Sequence, residues 1–203
     1  PTQLIVETKF GCIDSVIRNT EIYYNPKADF KPDTLEGCSP HCVTFIDYSK
    51  LKSGELLKYD WWFGDQLLGD EVNPTHCYEL EDGTETMEYA VKLKVTTPFG
   101  CSDSLVGQDK ITIYPNPLAD FHLDNNLLSM LEPEVFITNY SEGGDSWLWN
   151  FGDSAFSSDR DPISHTYDVS GEYTIELVAI SDFGCDNSVS RGVYVKPHQT
   201  LYV

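Results

Sequence analysis

The chain has 203 residues, with 33 acidic against 13 basic side chains and a formal charge of −20 at pH 7. That balance argues against nucleic acid, whose phosphates need Lys and Arg, and against docking on an anionic membrane surface. It fits a self-repelling soluble chain or one that binds divalent cations, and no apolar run reaches the length of about eighteen residues that a membrane-spanning helix needs.

In chain order, the first element is a short apolar strand, Leu4-Ile-Val6, followed by Phe10-Gly11-Cys12. The triplet returns as Phe99-Gly100-Cys101 and Phe183-Gly184-Cys185, the cysteines lying 89 and 84 residues apart (101 − 12 and 185 − 101). A period of that size is a whole β-sandwich module, longer than a solenoid repeat. Residues 1–25 therefore read as the last two strands of a truncated copy, and Pro1 is not expected to be a natural N-terminus.

The first complete copy opens at Asn25-Pro26 with Ala28-Asp29-Phe30 and continues through Gly37-Cys38-Ser-Pro40 to Val43-Thr-Phe45-Ile-Asp47-Tyr-Ser49. Next come Tyr59-Asp-Trp61-Trp-Phe63-Gly64-Asp65 and Asn73-Pro74-Thr-His76-Cys77-Tyr78. Trp61 alternates with Phe63, so both are expected inside, while Trp62 faces the other way. Tyr89-Ala-Val91-Lys-Leu93-Lys-Val95 has a period of two, apolar on one side, and predicts a single half-buried antiparallel strand. Ile111-Thr-Ile113-Tyr114 is the last strand of this copy.

The second copy repeats the order. Asn116-Pro117 leads into Ala119-Asp120-Phe121, then Val135-Phe-Ile137-Thr-Asn139-Tyr-Ser141, Trp147-Leu-Trp149-Asn-Phe151-Gly152-Asp153, Asp161-Pro162-Ile-Ser-His165-Thr-Tyr167, Tyr173-Thr-Ile175-Glu-Leu177 and Val193-Tyr-Val195. Short linkers bearing proline limit the swing of one module against the next and predict a semi-rigid rod.

Candidates for chemistry are few. His76 and His165 have no adjacent nucleophile and read as structural histidines bonding the backbone near the tryptophan. Ser49 and Ser141 sit at strand ends without a nucleophile elbow. The six cysteines lack the paired spacing of a zinc site, since Cys38-Ser-Pro-His41-Cys42 has no second half. Disulfides in an oxidising, extracytoplasmic setting are the better reading. The acidic segment from Glu79 to Glu88 (Glu79, Glu81, Asp82, Glu85, Glu88) offers the oxygens Ca²⁺ wants, but it reads as a solvated loop. No catalytic residues, metal ligands or cofactor are assigned, and no enzyme is expected.

The linked signatures Trp-x-Phe-Gly-Asp and Asn/Asp-Pro…His-x-Tyr, present in both copies, resemble the PKD (polycystic kidney disease) domain. That resemblance implies an all-β chain of tandem immunoglobulin-like β-sandwiches. Residues 1–25 would be the end strands of a preceding module, 26–116 and 117–198 two complete modules, and 199–203 the start of a linker or a following sorting domain. Gly37-Cys38-Ser-Pro40 with the Gly-Cys-x-Asp/Asn turns is similar to surface proteins of gliding Bacteroidetes. This implies extracellular stalk or adhesion modules, secreted by the type IX machinery through a domain outside the chain. Their partners would be neighbouring modules and a surface glycan or protein. The alternative is an accessory module that helps a secreted hydrolase engage insoluble carbohydrate or protein polymer, with Trp62 the exposed aromatic.

Within an immunoglobulin-like sandwich, Cys42 and Cys77 fall outward on neighbouring strands, and a Cys42–Cys77 disulfide is expected. Both are absent together from the second copy, where Glu134 and Thr166 stand. Cys38 lies at the end of its module facing the next one and Cys101 at the opposite end, roughly 17–20 Å away by strand length, beyond the reach of about 7 Å for a disulfide. The expected bond is therefore Cys38–Cys185 between modules, with Cys101 and Cys12 paired to modules further upstream.

Overall fold

Period-two alternation becomes burial wherever the sequence carries it. Leu93 and Val95 are fully buried while Lys92 and Lys94 beside them are partly exposed. Ile175, Leu177 and Ala179 repeat the pattern in the second copy. The computed structural model describes residues 1–56, 58–80 and 85–198. It is all-β, with two immunoglobulin-like sandwich repeats preceded by a hairpin.

The hairpin pairs β1 (Thr2–Glu7) with β2 (Ile13–Arg18), and every residue of both strands is exposed. The first repeat holds β3 (Phe30–Pro32), β4 (Glu36–Cys38), β5 (His41–Asp47), β6 (Lys58–Trp62), β7 (Leu68–Gly69), β8 (Thr75–Tyr78), β9 (Met87–Tyr89), β10 (Lys92–Thr96), β11 (Ser102–Val106) and β12 (Ile111–Tyr114). Its sheets run in the orders β11-β10-β6-β7, β4-β12-β9 and β3-β5-β8. The second repeat holds β13 (Phe121–Leu123), β14 (Leu127–Ser129), β15 (Glu134–Asn139), β16 (Ser146–Asn150), β17 (Phe156–Ser157), β18 (Ser164–Thr166), β19 (Gly171–Ile180) and β20 (Asp186–Lys196). These form two sheets, β14-β20-β19-β16-β17 and β13-β15-β18.

The single strand expected over Tyr89–Val95 is two strands, and this corrects the sequence reading. β9 pairs with β12, whereas β10 pairs with β11 and β6. Its counterpart β19 is unbroken and stays with β20 from Gly171↔Val195 to Ile180↔Asp186. The reason is an insertion of two residues. Cys101 to Ile111 spans ten positions and Cys185 to Val193 eight (111 − 101 and 193 − 185), although Ile111 and Val193 face the equivalent tyrosines, Tyr89 and Tyr173. Between Lys92↔Val106 and Tyr89↔Ile111 one strand advances three residues and the other five. An even offset keeps the same faces inward while breaking the ladder. Gly107 N–H donates to Val91 O at 2.8 Å inside the break.

The chain forms two compact units, one of residues 1–33, 44–74 and 90–109, the other of 34–43, 75–89 and 110 onward. In the first, Phe30 meets Trp61 edge-on at 5.1 Å and Phe45 lies 5.8 Å from Trp61 and 5.6 Å from Phe63. The second contains the whole second sandwich, where Phe121 meets Trp149 edge-on at 5.2 Å. Val135, Leu177 and Val195 fill the same core without solvent exposure.

Candidate functional site

The Phe-Gly-Asp turn ends the tryptophan strand in the same way in each repeat. Gly64 and Gly152 take φ of 97° and 86°, a conformation that costs a side-chain-bearing residue energy. The next carboxylate closes the turn, with Asp65 Oδ1 accepting from Leu67 N–H at 3.0 Å and Asp153 Oδ1 from Ala155 N–H at 3.0 Å. The tryptophans reach backbone carbonyls ten residues on: Trp61 Nε1–H donates to Glu71 O at 2.8 Å and Trp149 Nε1–H to Asp159 O at 3.0 Å.

His165 does not bond the backbone as the sequence suggested. Its Nε2 lies 2.7 Å from Asp153 Oδ2, and its ring stacks on Phe151 at 4.1 Å. Burial pushes the Asp153 carboxyl up, but the hydrogen bonds from His165 and Ala155 and the attraction of His165 outweigh it, and the pKa is lowered. Tyr167 O–H donates to Phe151 O at 3.0 Å, and burial, followed by nearby Asp153, raises its pKa strongly. The arrangement is a turn clamp: imidazole, carboxylate and phenol are all spent on the Phe-Gly-Asp segment. Sequence reasoning missed the pair because its members lie twelve positions apart in the chain. The serines are equally committed, Ser49 Oγ accepting from Asp29 N–H at 3.1 Å and Ser141 Oγ from Asp120 N–H at 3.1 Å.

Cys42 and Cys77 are bonded, their Cα atoms 3.9 Å apart on β5 and β8. In the second repeat the two equivalent positions, Glu134 and Thr166, face each other directly in the β15–β18 register. Cys38 and Cys185 are bonded across 147 residues, with S–S 2.03 Å and Cα–Cα 5.6 Å. The segment carrying Cys38 is built for close approach. A Cβ on Gly37 would fall 2.3 Å from His41 Nδ1, so only glycine lets that ring lie on the backbone, where its Nε2 meets Thr34 Oγ1 at 2.9 Å.

Four contacts surround Cys38–Cys185. β4 runs parallel to β12 with Cys38 opposite Tyr114, whose ring stacks on Phe183 at 4.1 Å. Asn116 Nδ2 donates to Ser39 O at 2.5 Å. Tyr114 O–H donates to Glu36 Oε2 at 2.9 Å, and that bond, with lesser desolvation and charge effects, raises its pKa. Cys185 is 1 % exposed. Cys12 and Cys101 are free thiols.

Trp62 is 37 % exposed on β6, opposite in direction to the buried Trp61. It pairs with Lys92 on β10 and Leu68 on β7, and Lys92 Nζ sits 5.0 Å from its ring centre. This gives one apolar, cation-capped strip on the four-stranded sheet. Among the described residues no cluster of three or more His, Cys, Asp or Glu could hold a metal. Glu81 and Asp82 of the acidic segment considered for Ca²⁺ lie outside the described residues. No helix among the described residues is long and apolar enough to cross a membrane.

The family model for the PKD domain matches residues 24–113 and 116–196. Collagenase ColA of Bacillus cereus is 46 % identical over 46 residues, covering 23 % of this chain and 5 % of that protein. Collagenase ColA of Clostridium perfringens is 36 % identical over 80 residues, covering 38 % of this chain and 7 % of that protein. The PKD1 domain of the Vibrio cholerae metalloprotease PrtV is similar at 27 % identity and TM-score 0.35, covering 40 % of this chain and 98 % of that domain. The chain thus spans less than a tenth of the length of these curated relatives.

Proposed function

The chain belongs to the PKD domain family, and from that premise we propose that it is a non-catalytic accessory segment of a larger extracytoplasmic protein, one that holds insoluble polymer. The observation that carries this reading is the company the modules keep: two curated relatives are collagenases, in which the matching segment is a small part of a long chain. Two features agree with it. His165, Ser49 and Ser141 are tied into turns, which fits a segment that leaves the chemistry to another part of the protein. Both disulfides suit an oxidising compartment.

The polymer-facing candidate is the Trp62 strip, since a flat exposed ring flanked by apolar and cationic groups stacks on sugar or peptide planes. The experiment is retention of the purified chain on insoluble collagen, chitin and cellulose. Binding to collagen that falls at least tenfold in Trp62→Ala supports the reading; no retention on any of the three overturns it.

A second reading, a stalk or adhesive filament such as a gliding-motility adhesin exported by the type IX route, is favoured by one observation, the Cys38–Cys185 bond between repeats. A covalent link between modules has value where a chain bears load. Single-molecule pulling separates the readings' demands: the bond shortens the extension released on unfolding by the residues it encloses, and Cys185→Ser restores them.

A further inference from the structure

The Phe-Gly-Cys turn of the second repeat has a docked partner, and the parts of that docking are identifiable. Cys185 takes the disulfide from Cys38, Phe183 takes the ring of Tyr114, and Asn116 holds Ser39 O. Ser181 organises the turn, its N–H donating to Cys185 O at 2.8 Å and its carbonyl accepting from Gly184 N–H at 3.0 Å.

The receiving half of this arrangement occurs a second time. Thr97 N–H donates to Cys101 O at 2.8 Å, Thr97 O accepts from Gly100 N–H at 3.0 Å, and Gly100 has φ of 83° against 80° at Gly184. Tyr23 stacks on Phe99 at 3.8 Å and 13°, as Tyr114 does on Phe183 at 4.1 Å and 10°. Asn25 stands before Pro26 as Asn116 stands before Pro117. The donor half is what differs. The sequence contains one Gly-Cys-Ser-Pro segment, at 37–40, and its cysteine is already bonded to Cys185. Cys101 is a free, partly exposed thiol, and Phe99 is 64 % exposed.

We propose that Tyr23, Asn25, Phe99 and Cys101 form a docking face for the Gly-Cys-Ser-Pro segment of another PKD module placed N-terminal to this one, closed by a disulfide through Cys101. The occupant is fixed by the second repeat, where the equivalent residues hold that segment and no other. The proposal is independent of polymer binding. Closure needs an oxidant, here a small-molecule disulfide such as oxidised glutathione. One protein thiolate attacks it, breaking its S–S bond and releasing one glutathione thiolate. The second protein thiolate then attacks the protein sulfur of the mixed disulfide and expels the other glutathione. Two protein thiols become one disulfide, and one glutathione disulfide becomes two thiols.

The test uses the chain's own residues. Leu4 and Val6 stand as far before Cys12 as Leu93 and Val95 stand before Cys101, so residues 26–89 joined directly ahead of Pro1 complete a preceding module. After oxidation with glutathione and peptide mapping, the expected result is a Gly-Cys-Ser-Pro peptide linked to Cys101 beside the one linked to Cys185, with Cys12 still open to alkylation. Cys101 remaining as alkylatable as Cys12 while Cys38–Cys185 forms in the same molecules overturns the proposal. If the extended chain does not form Cys38–Cys185, the unextended full chain decides. A synthetic peptide of residues 34–43, with serine for Cys42 and glutathione on Cys38, is expected to label Cys101 at least tenfold faster than Cys12, relative to oxidised glutathione alone. Equal relative rates overturn it.

Discussion

Trp61 and Trp62 are neighbours in sequence and opposite in environment, and the alternation of β6 decides it. Trp61 is 1 % exposed and packed by Phe30 and Phe45, so Trp61→Ala is expected to cost about 3–5 kcal/mol. Trp62→Ala leaves the core intact and should change stability by about 0.5 kcal/mol or less; urea unfolding of the two variants checks the contrast. Glycine gives a second ordering. Gly152→Ala combines φ of 86° with a Cβ 2.8 Å from Thr174 O, whereas Gly184→Ala has φ of 80° and nothing within 4 Å. The conformation alone costs about 1–2 kcal/mol, so Gly152→Ala should unfold at clearly lower denaturant than Gly184→Ala. At Asp153 the lowered pKa sets the sign of a pH effect. A carboxyl depressed in the folded state adds stability above its unfolded pKa of about 3.9, and that gain is lost as pH falls through the folded value. Asp153→Asn should therefore cost stability at pH 6, with the difference from the parent chain shrinking toward pH 3. Which residues turn inward was readable from the period of two. The His165–Asp153 pair was not, because its members are twelve positions apart and each already had a local role.

At the scale of elements, facing positions explain more than composition does. The two outer positions of the strand pair hold Cys42 and Cys77 in one repeat and Glu134 and Thr166 in the other, so one register accepts a covalent or a polar pair. Closing a loop of 35 residues removes denatured-state entropy worth about 4 kcal/mol at most. Replacing both Cys42 and Cys77 by serine is expected to lower stability by about 2–4 kcal/mol, read as a shift in the urea midpoint with Cys38–Cys185 intact. An unchanged midpoint would mean that the reduced strands already hold their register unaided. The broken ladder of β9 and β10 shows where strand reading stops. Apolar alternation runs unbroken through Tyr89, Val91, Leu93 and Val95, because two inserted residues on the partner strand preserve facing while changing pairing. Facing is encoded in the strand itself; pairing is encoded in the length of its neighbour. The two disulfide partners were legible for the same reason, since joint absence from one repeat and position at module ends are properties of the repeat comparison.

Across the whole molecule, net charge is the largest electrostatic influence. An excess of 20 acidic groups sits on 203 residues, and the exposed lysine and arginine pairs among the described residues oppose it weakly. Lys58–Asp60 has its lysine 62 % exposed, Arg160–Asp161 is 3.9 Å apart and exposed on both sides, and Arg191–Asp120 is about half exposed on both. Exposed pairs of this kind contribute about 0–1 kcal/mol each. Repulsion among the remaining carboxylates acts over longer distances and is cut when the Debye length falls from about 30 Å at 0.01 M salt to about 8 Å at 0.15 M. Screening therefore removes more repulsion than attraction, and the folded state, being more compact than the unfolded chain, gains most from it. The thermal midpoint is expected to rise by a few degrees between 10 and 150 mM NaCl and then to level off. A midpoint that falls with salt would show that local ion pairs outweigh the net charge. A rise with millimolar Ca²⁺ far beyond that of NaCl at equal ionic strength would instead report specific cation binding.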